Sequence, residues 1–196
     1  EKDISSINNY TSLLFYGEND GLKEDIKNEI KKINKNAEII NLFQEEIIKN
    51  DSILLKELNN LSLFSEKKIL FIYEATDKIF KFIYEVLDKR SDQTKIFLYS
   101  RALDKKSKLR AHYEKDKDLG IVPCYHDNAR TLSSYISIKL KNYGGLSQEI
   151  INLIMNNSNN DRRLINAEIV KIKNFYIKKK IDKESLVNLL NIKFDD

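Results

Sequence analysis

The sequence predicts an α/β protein: a five-stranded parallel sheet, doubly wound by helices, followed by a small all-helical unit. Three observations predict it. Five short apolar runs alternate with helical periodicities. Two of these runs, Lys68 to Tyr73 (KILFIY) and Lys95 to Ser100 (KIFLYS), are almost continuously apolar, as strands covered on both faces are. From Leu132 onward only helical periodicity remains. Short crossovers through helices join strands running in the same direction, which makes the sheet parallel.

Each element follows in order. Leu13 to Tyr16 is apolar and ends at Gly17, and Gly21 to Ile33 places Leu22, Ile26, Ile30 and Ile33 on one helical face. Ala37 to Phe43 is the second strand; Asp51 and Ser52 are positioned to cap a helix carrying Ile53, Leu54, Leu55 and Leu58. Lys68 to Tyr73 reads as the central strand, and Thr76-Asp77 opens a helix with Ile79, Phe80, Ile83, Tyr84 and Leu87. Lys95 to Ser100, a charged helix from Lys105 to Asp116 and a short strand from Gly120 to Cys124 complete the first domain, 1–129. The polar stretch His126 to Arg130 is the expected hinge. The second domain, 130–196, holds helices over Leu132 to Asn142, Ser147 to Met155, Arg162 to Ile177 and Lys183 to Leu190.

Composition excludes several classes of function. The 196 residues are 41% hydrophobic and 33% charged, enough apolar content to bury a core. No apolar run approaches the roughly 20 residues of a membrane span, and no signal-like stretch opens the chain, so no membrane association is expected. A single cysteine, Cys124, rules out an internal disulfide and any cysteine-based zinc cluster; two distant histidines make a metal site unexpected. This fits a reducing cytoplasm. The net charge of +4 does not demand a polyanion partner. The first residue, Glu1 rather than methionine, reads as a fragment or a processed chain.

The first strand-to-helix loop invites a test as a phosphate loop. A working loop, G-x-x-x-x-G-K-[ST], needs backbone amides around the phosphates, a lysine after the second glycine and a hydroxyl for magnesium. Here it reads Gly17-Glu18-Asn19-Asp20-Gly21-Leu22-Lys23-Glu24. The glycines are one residue too close, Leu22 stands where lysine belongs, and Glu24 follows Lys23. Glu18 and Asp20 would repel phosphate. The strand Lys68 to Tyr73 ends in Glu74-Ala75 rather than a pair of acids. Gly17, Gly21 and Lys23 therefore read as a degenerate P-loop, and no cofactor is expected. His112 and His126 read as solvated surface residues with no nucleophile at a recognisable spacing, and Cys124 reads as a buried small apolar residue. No catalytic set emerges.

The most unusual feature is Leu61-Ser62-Leu63-Phe64-Ser65-Glu66, an apolar connection where a surface loop should be polar. Two readings are open. Leu61, Leu63 and Phe64 tuck under the sheet edge, or they form an exposed wedge offered to a pocket on another protein, each side chain contributing roughly 1.5 to 3 kcal/mol if fully buried. Basic residues cluster at Arg101, Lys105, Lys106, Lys108 and Arg110, and again at Lys171, Lys173, Lys178, Lys179 and Lys180. They read as solvated faces, with phosphate-backbone contact as the other reading.

Several blocks together resemble one family: LLFYGEND from Leu13 to Asp20, SLFSEKKILFI from Ser62 to Ile72, LDKKSKLR from Leu103 to Arg110, VPCY from Val122 to Tyr125, and NDRRLINAEIVKIKNFY from Asn160 to Tyr176. The chain resembles the delta subunit of the bacterial DNA polymerase III clamp loader over nearly its whole length. The resemblance implies an AAA+/RecA-like module that has lost its ATP site, without intrinsic catalysis, within a DNA polymerase holoenzyme that acts in replication. It implies that Leu63 and Phe64, with Leu61 and Ser62 beside them, bind the sliding clamp (the beta subunit) and that binding favours an open ring by differential affinity. The other loader subunits, delta-prime and tau/gamma, and primer-template DNA are the further partners it implies, with ATP binding by those subunits exposing or hiding the clamp-binding surface. Family members continue into a third, helical collar domain, and this chain stops at Asp196. Pentamer assembly by this chain is thereby in question, whereas clamp binding is expected to survive. The rivals are an ATP-dependent P-loop-type enzyme, which requires nucleotide at Gly17 to Lys23, and a basic nucleic-acid-binding module, whose affinity would fall steeply with salt.

Overall fold

The computed structural model of the chain describes residues 7, 9–60, 67–89, 93–178 and 180–190. The chain divides into two compact units, 1–125 and 126–196. In the first unit the order is β1 (Ser12–Tyr16), α1 (Asp20–Ile33), β2 (Glu38–Phe43), α2 (Gln44–Lys49), α3 (Ile53–Asn59), β3 (Lys68–Tyr73), α4 (Phe80–Lys89), β4 (Thr94–Ser100), α5 (Lys108–Lys115) and β5 (Leu119–Pro123). The five strands form one sheet in the order β2-β3-β4-β1-β5, and every pairing is parallel. β4 rather than β3 occupies the centre; β3 is the interior strand between β2 and β4.

Alternation along the strands sends side chains to two different layers. Leu14, Leu70, Ile72, Ile96 and Leu98 pack with Ile47 of α2, Leu54 of α3, Ile83, Val86 and Leu87 of α4, and Leu109 and Tyr113 of α5. Leu13, Phe15, Ile69, Phe71, Phe97 and Tyr99 face the other way, against Ile26 and Ile30 of α1. On this second face the aromatic rings stack across the strands, with centroids 5.1 Å apart for Phe15 and Tyr99 and 5.7 Å for Phe71 and Phe97. Lys27 of α1 lies 4.9 Å over the Tyr73 ring, so its stem covers apolar surface while its charge rests on an aromatic face. β5 tolerates Pro123 because it is an edge strand, where one ladder donor is dispensable.

Several element boundaries differ from those expected, each for a local reason. The helix anticipated after β2 is two helices: α2 starts directly after Phe43, whose amide donates to Glu46 Oε2 at 2.7 Å. Ser52 does not cap α3; its hydroxyl donates to Asn50 Oδ1 at 2.9 Å instead. Thr76 opens a 3-10 turn, Asp77–Ile79, that leads into α4. α5 begins only at Lys108, where the Ser107 hydroxyl accepts from the Arg110 amide. His112 is not a solvated residue: it is half-buried, with the rings of Phe80, Tyr84 and Tyr113 edge-on to it at 5.5 to 6.1 Å.

The second unit contains α6 (Ala129–Lys139), α7 (Gln148–Asn157), α8 (Arg162–Phe175) and α9 (Lys183–Leu189). Their apolar stripes meet in a core that includes Leu132, Tyr135, Ile136, Ile154, Ile165, Ile169, Ile172 and Leu186. Asn159 and Asn160 take positive φ (48° and 56°), a conformation asparagine tolerates, and Asp161 then caps α8 by accepting from the amides of Arg163 and Leu164. Gly145 (φ 82°) allows the turn after α6 to approach the main chain of Ile181, where a Cβ would meet the carbonyl oxygen at 2.1 Å. Arg162 is buried: its guanidinium ion-pairs with Asp127 at 3.1 Å and lies 3.9 Å from the centre of the Tyr135 ring. No described helix is long and apolar enough to cross a membrane.

Candidate functional site

In an open parallel sheet, ligands bind beyond the carboxyl ends of the strands, where the strand order reverses. Here that place lies between β1 and β4, the two strands whose following connections leave in opposite directions. The Gly17 to Lys23 loop leaves β1 there. Gly17 has φ 127°, and a Cβ on it would meet the Cys124 carbonyl oxygen at 2.2 Å, so only glycine fits between β1 and the chain leaving β5. The Gly17 amide donates to Arg101 O at 3.1 Å and the Asn19 amide to Cys124 O at 3.0 Å. Asn19 caps α1, accepting from the Leu22 amide at 2.9 Å, while its own side chain donates to Tyr125 O at 3.0 Å. The Asp20 and Lys23 amides donate to Glu18 O and Asn19 O.

The loop's lysine turns inward. Lys23 is buried, and its ammonium donates to Gly17 O at 2.8 Å and Ser100 O at 3.1 Å and pairs with Asp20 Oδ1 at 2.9 Å. One cation therefore ties the carboxyl ends of β1 and β4 at the switch point. Counted from Gly17 rather than Gly21, Lys23 stands at the spacing of a phosphate-loop lysine, a position the count from the second glycine misses. Its charge is spent on the protein's own carbonyls and on Asp20. The amides of Gly17, Asn19, Asp20, Leu22 and Lys23, which would have to face a phosphate, already donate to protein oxygens. A phosphate entering this loop would displace those bonds.

The rim of the crevice is aromatic and paired. Tyr16 at the end of β1 donates to or accepts from the Tyr125 hydroxyl at 3.2 Å, and the Arg110 guanidinium lies 4.9 Å over its ring. Burial and the Tyr125 hydroxyl push the Tyr16 phenol up to about 12, against the pull of Arg110. Arg110 in turn holds Glu114 at 2.8 Å and donates to Leu103 O, so this member of the first basic cluster is committed within the protein. Lys105, Lys106 and Lys108 are exposed. In the second cluster Lys171 pairs with Glu168 at 2.9 Å, Lys173, Lys178 and Lys180 are exposed, and Lys179 lies outside the described residues. At the end of β3, Glu74 is exposed with φ 58°, and Asp77 turns toward α5 instead of the crevice, accepting from Ser107 Oγ and from the amides of Lys108 and Leu109. Cys124 is fully buried and His126 is exposed. Among the described residues no three His, Cys, Asp or Glu side chains gather as a metal site.

Leu61, Ser62, Leu63 and Phe64 lie outside the described residues. Their neighbours in the chain, α3 and Lys68, stand at the amino-terminal edge of β3, the edge away from the Gly17 loop.

No family model and no curated protein sequence matches the chain. Solved structures do match it. The Bacillus subtilis DNA clamp loader delta protein (YqeN) superposes with a TM-score of 0.70 at 14% identity, over 96% of this chain and 60% of that one. A point variant of Thermotoga maritima RuvB superposes with a TM-score of 0.55 at 13% identity, over 96% of this chain and 65% of that one. The fold is of the AAA+ type. At these identities the likeness concerns architecture, a clamp-loader-like sheet and helical unit, and this chain spans less than two thirds of the length of either protein.

Proposed function

We propose that the chain is a non-catalytic subunit of a clamp loader, of the delta type, that binds a sliding clamp and favours its open ring. The observation that carries this reading is the Gly17 to Lys23 loop of an AAA+ fold, filled by the protein's own lysine. Such a module acts through a partner rather than through bound nucleotide. The ordered resemblance of Leu13–Asp20, Ser62–Ile72 and Asn160–Tyr176 to delta subunits supports it, as does the clamp-loader-like architecture. In this reading 1–129 is the clamp-binding domain and 130–196 the helical lid, and Leu63 and Phe64, flanked by Leu61 and Ser62, enter an apolar pocket on the clamp. The mechanism is thermodynamic: a protein that binds the open ring more tightly than the closed one shifts the ring toward opening by the difference in affinity, with no bond made or broken. Delta-prime and tau/gamma subunits and primer-template DNA are the further partners of the assembled loader, and the cytoplasm is its compartment.

The test is co-migration of the chain with the cognate sliding clamp in size-exclusion chromatography, with and without ATP and magnesium. A complex formed equally well without nucleotide supports the reading. A complex that requires nucleotide, or heat of ATP binding to the isolated chain, overturns it in favour of an ATP-dependent enzyme.

A further inference from the structure

Strand β3 opens with a charged residue that the structure buries. Lys68 is only 6% exposed. Its ammonium donates to the main-chain oxygens of Glu57 at 2.6 Å and Asn60 at 2.7 Å, and the carboxylates of Glu38 and Glu57 lie 3.7 Å and 3.8 Å away. Glu57 O and Asn60 O belong to the last turn of α3 and its cap, where carbonyls have no partner within the helix and the helix dipole favours a cation. The strand side is equally anchored. The Lys68 amide donates to Gln93 O at 3.0 Å, and Lys67 O accepts from the Glu38 amide at 2.9 Å, so this point of the chain is stitched to both neighbouring strands. A single side chain therefore ties the end of α3 to the start of β3, and the residues joining these two points in sequence are Leu61 to Glu66.

We infer that Lys68 is the positioning residue for the clamp-binding connection: its ammonium holds both ends of 61–66 together and so restricts the conformations from which Leu63 and Phe64 engage the clamp. The inference rests on the function proposed above. Its physical basis is preorganisation, since a segment whose ends are already fixed loses less conformational entropy on binding. It also accounts for a buried lysine where an apolar residue would complete the strand.

The experiment compares wild type with Lys68→Met, Lys68→Arg and Leu63→Ala/Phe64→Ala, using clamp affinity and amide hydrogen exchange resolved over 57–72, well below each variant's melting temperature. The expected result is that Lys68→Met weakens clamp binding roughly tenfold, as two side chains released from a fixed segment would. It also speeds exchange across 60–67 while leaving 69–72 of β3 protected, and Lys68→Arg restores both. Unchanged exchange over 60–67 in a folded Lys68→Met variant overturns the inference, as does unchanged affinity where wild type binds and the double alanine does not. If Lys68→Met fails to fold, two glycines inserted after Asn60 lengthen the connection without touching Lys68; clamp affinity that survives this insertion is equally fatal. Failure of wild type to bind the clamp removes the functional reading instead, and the exchange comparison still decides what Lys68 holds.

Discussion

Lys23 bridges two strand ends with one ammonium, and removing it exposes what that bridge contributes. Lys23→Met leaves the carbonyls of Gly17 and Ser100 without their charged donor, and hydrogen bonds to a charged group contribute more than neutral ones, so a loss of about 2 kcal/mol is expected in chemical denaturation. Calorimetry with ATP and magnesium is expected to show no binding to either protein; binding to wild type that the variant loses would make Lys23 a phosphate ligand. Tyr16 offers a second test at this scale. Its phenol titrates near 12 in the folded chain, above the unfolded value of about 10, so the folded state holds a proton that the unfolded state releases. The resulting stabilisation is complete below pH of about 10 and is lost as pH rises through about 12. Tyr125→Phe removes the hydroxyl partner, and tyrosinate absorbance is expected to show Tyr16 titrating lower in that variant. The degeneracy of the loop is legible in its residues, because Glu18, Asp20 and Glu24 stand where phosphate and magnesium need other groups. The inward turn of Lys23 is not, because it depends on the Ser100 carbonyl, 77 residues away in the chain. His112 is similarly misread: its charged neighbours in sequence point elsewhere, while its packing partners Phe80 and Tyr84 come from α4.

At the scale of elements, Asp77 secures α5 from a distance. Its carboxylate accepts from Ser107 Oγ at 2.7 Å, Leu109 N at 2.9 Å and Lys108 N at 3.1 Å, thereby capping a helix that belongs to a different stretch of chain. Partial burial raises its pKa, but these hydrogen bonds outweigh that and hold it below the ordinary aspartate value. A lowered folded-state pKa means that the contribution is present above the unfolded value of about 3.9 and lost as pH falls through the folded one. Asp77→Ala is expected to cost about 1 kcal/mol at neutral pH, the usual effect of losing a helix cap, and the difference in melting temperature is expected to shrink in strong acid. Equal destabilisation at both pH values would show that the carboxylate charge is not what secures α5. β3 and β4 are legible as elements because strands buried on both faces carry nearly unbroken apolar runs, which helices of this amphipathic kind do not. α2 is not legible: its six residues, QEEIIK, are too short for a periodicity, and its start is set by Glu46 reaching back to Phe43. α6 likewise begins three residues before its first apolar position, because Asn128 caps it by accepting from the Thr131 amide. The apolar connection Leu61 to Glu66 is conspicuous in the sequence for the opposite reason, since nothing in loop chemistry calls for its leucines and phenylalanine.

At the scale of the molecule, each of the two units has its own apolar core, and the point of division has consequences. Asp127 pairs with the buried Arg162, and Asn128 caps α6, so both belong energetically to the helical unit. A fragment beginning at His126 is expected to be more stable than one beginning at Arg130, which leaves Arg162 buried without its partner, by roughly 3 kcal/mol or more. Equal stability of the two fragments in urea denaturation would place the boundary at 129/130 instead. The doubly wound architecture is legible from the sequence because each level agrees with the others: strand runs, crossover lengths and the change to helix-only periodicity all specify one topology. The strand order is less so, since KILFIY reads as central while β4 takes the centre through pairings with both β3 and β1. The central claim, that the module works on a clamp through Leu63 and Phe64 and without nucleotide, is tested most directly by calorimetric titration of the chain with its cognate sliding clamp in the absence of ATP. Wild type is expected to bind, and Leu63→Ala/Phe64→Ala to lose binding while its melting temperature stays close to that of wild type. Retained binding in a folded double alanine, or loss of binding that merely follows a collapse in stability, would contradict it by placing those two side chains in the core.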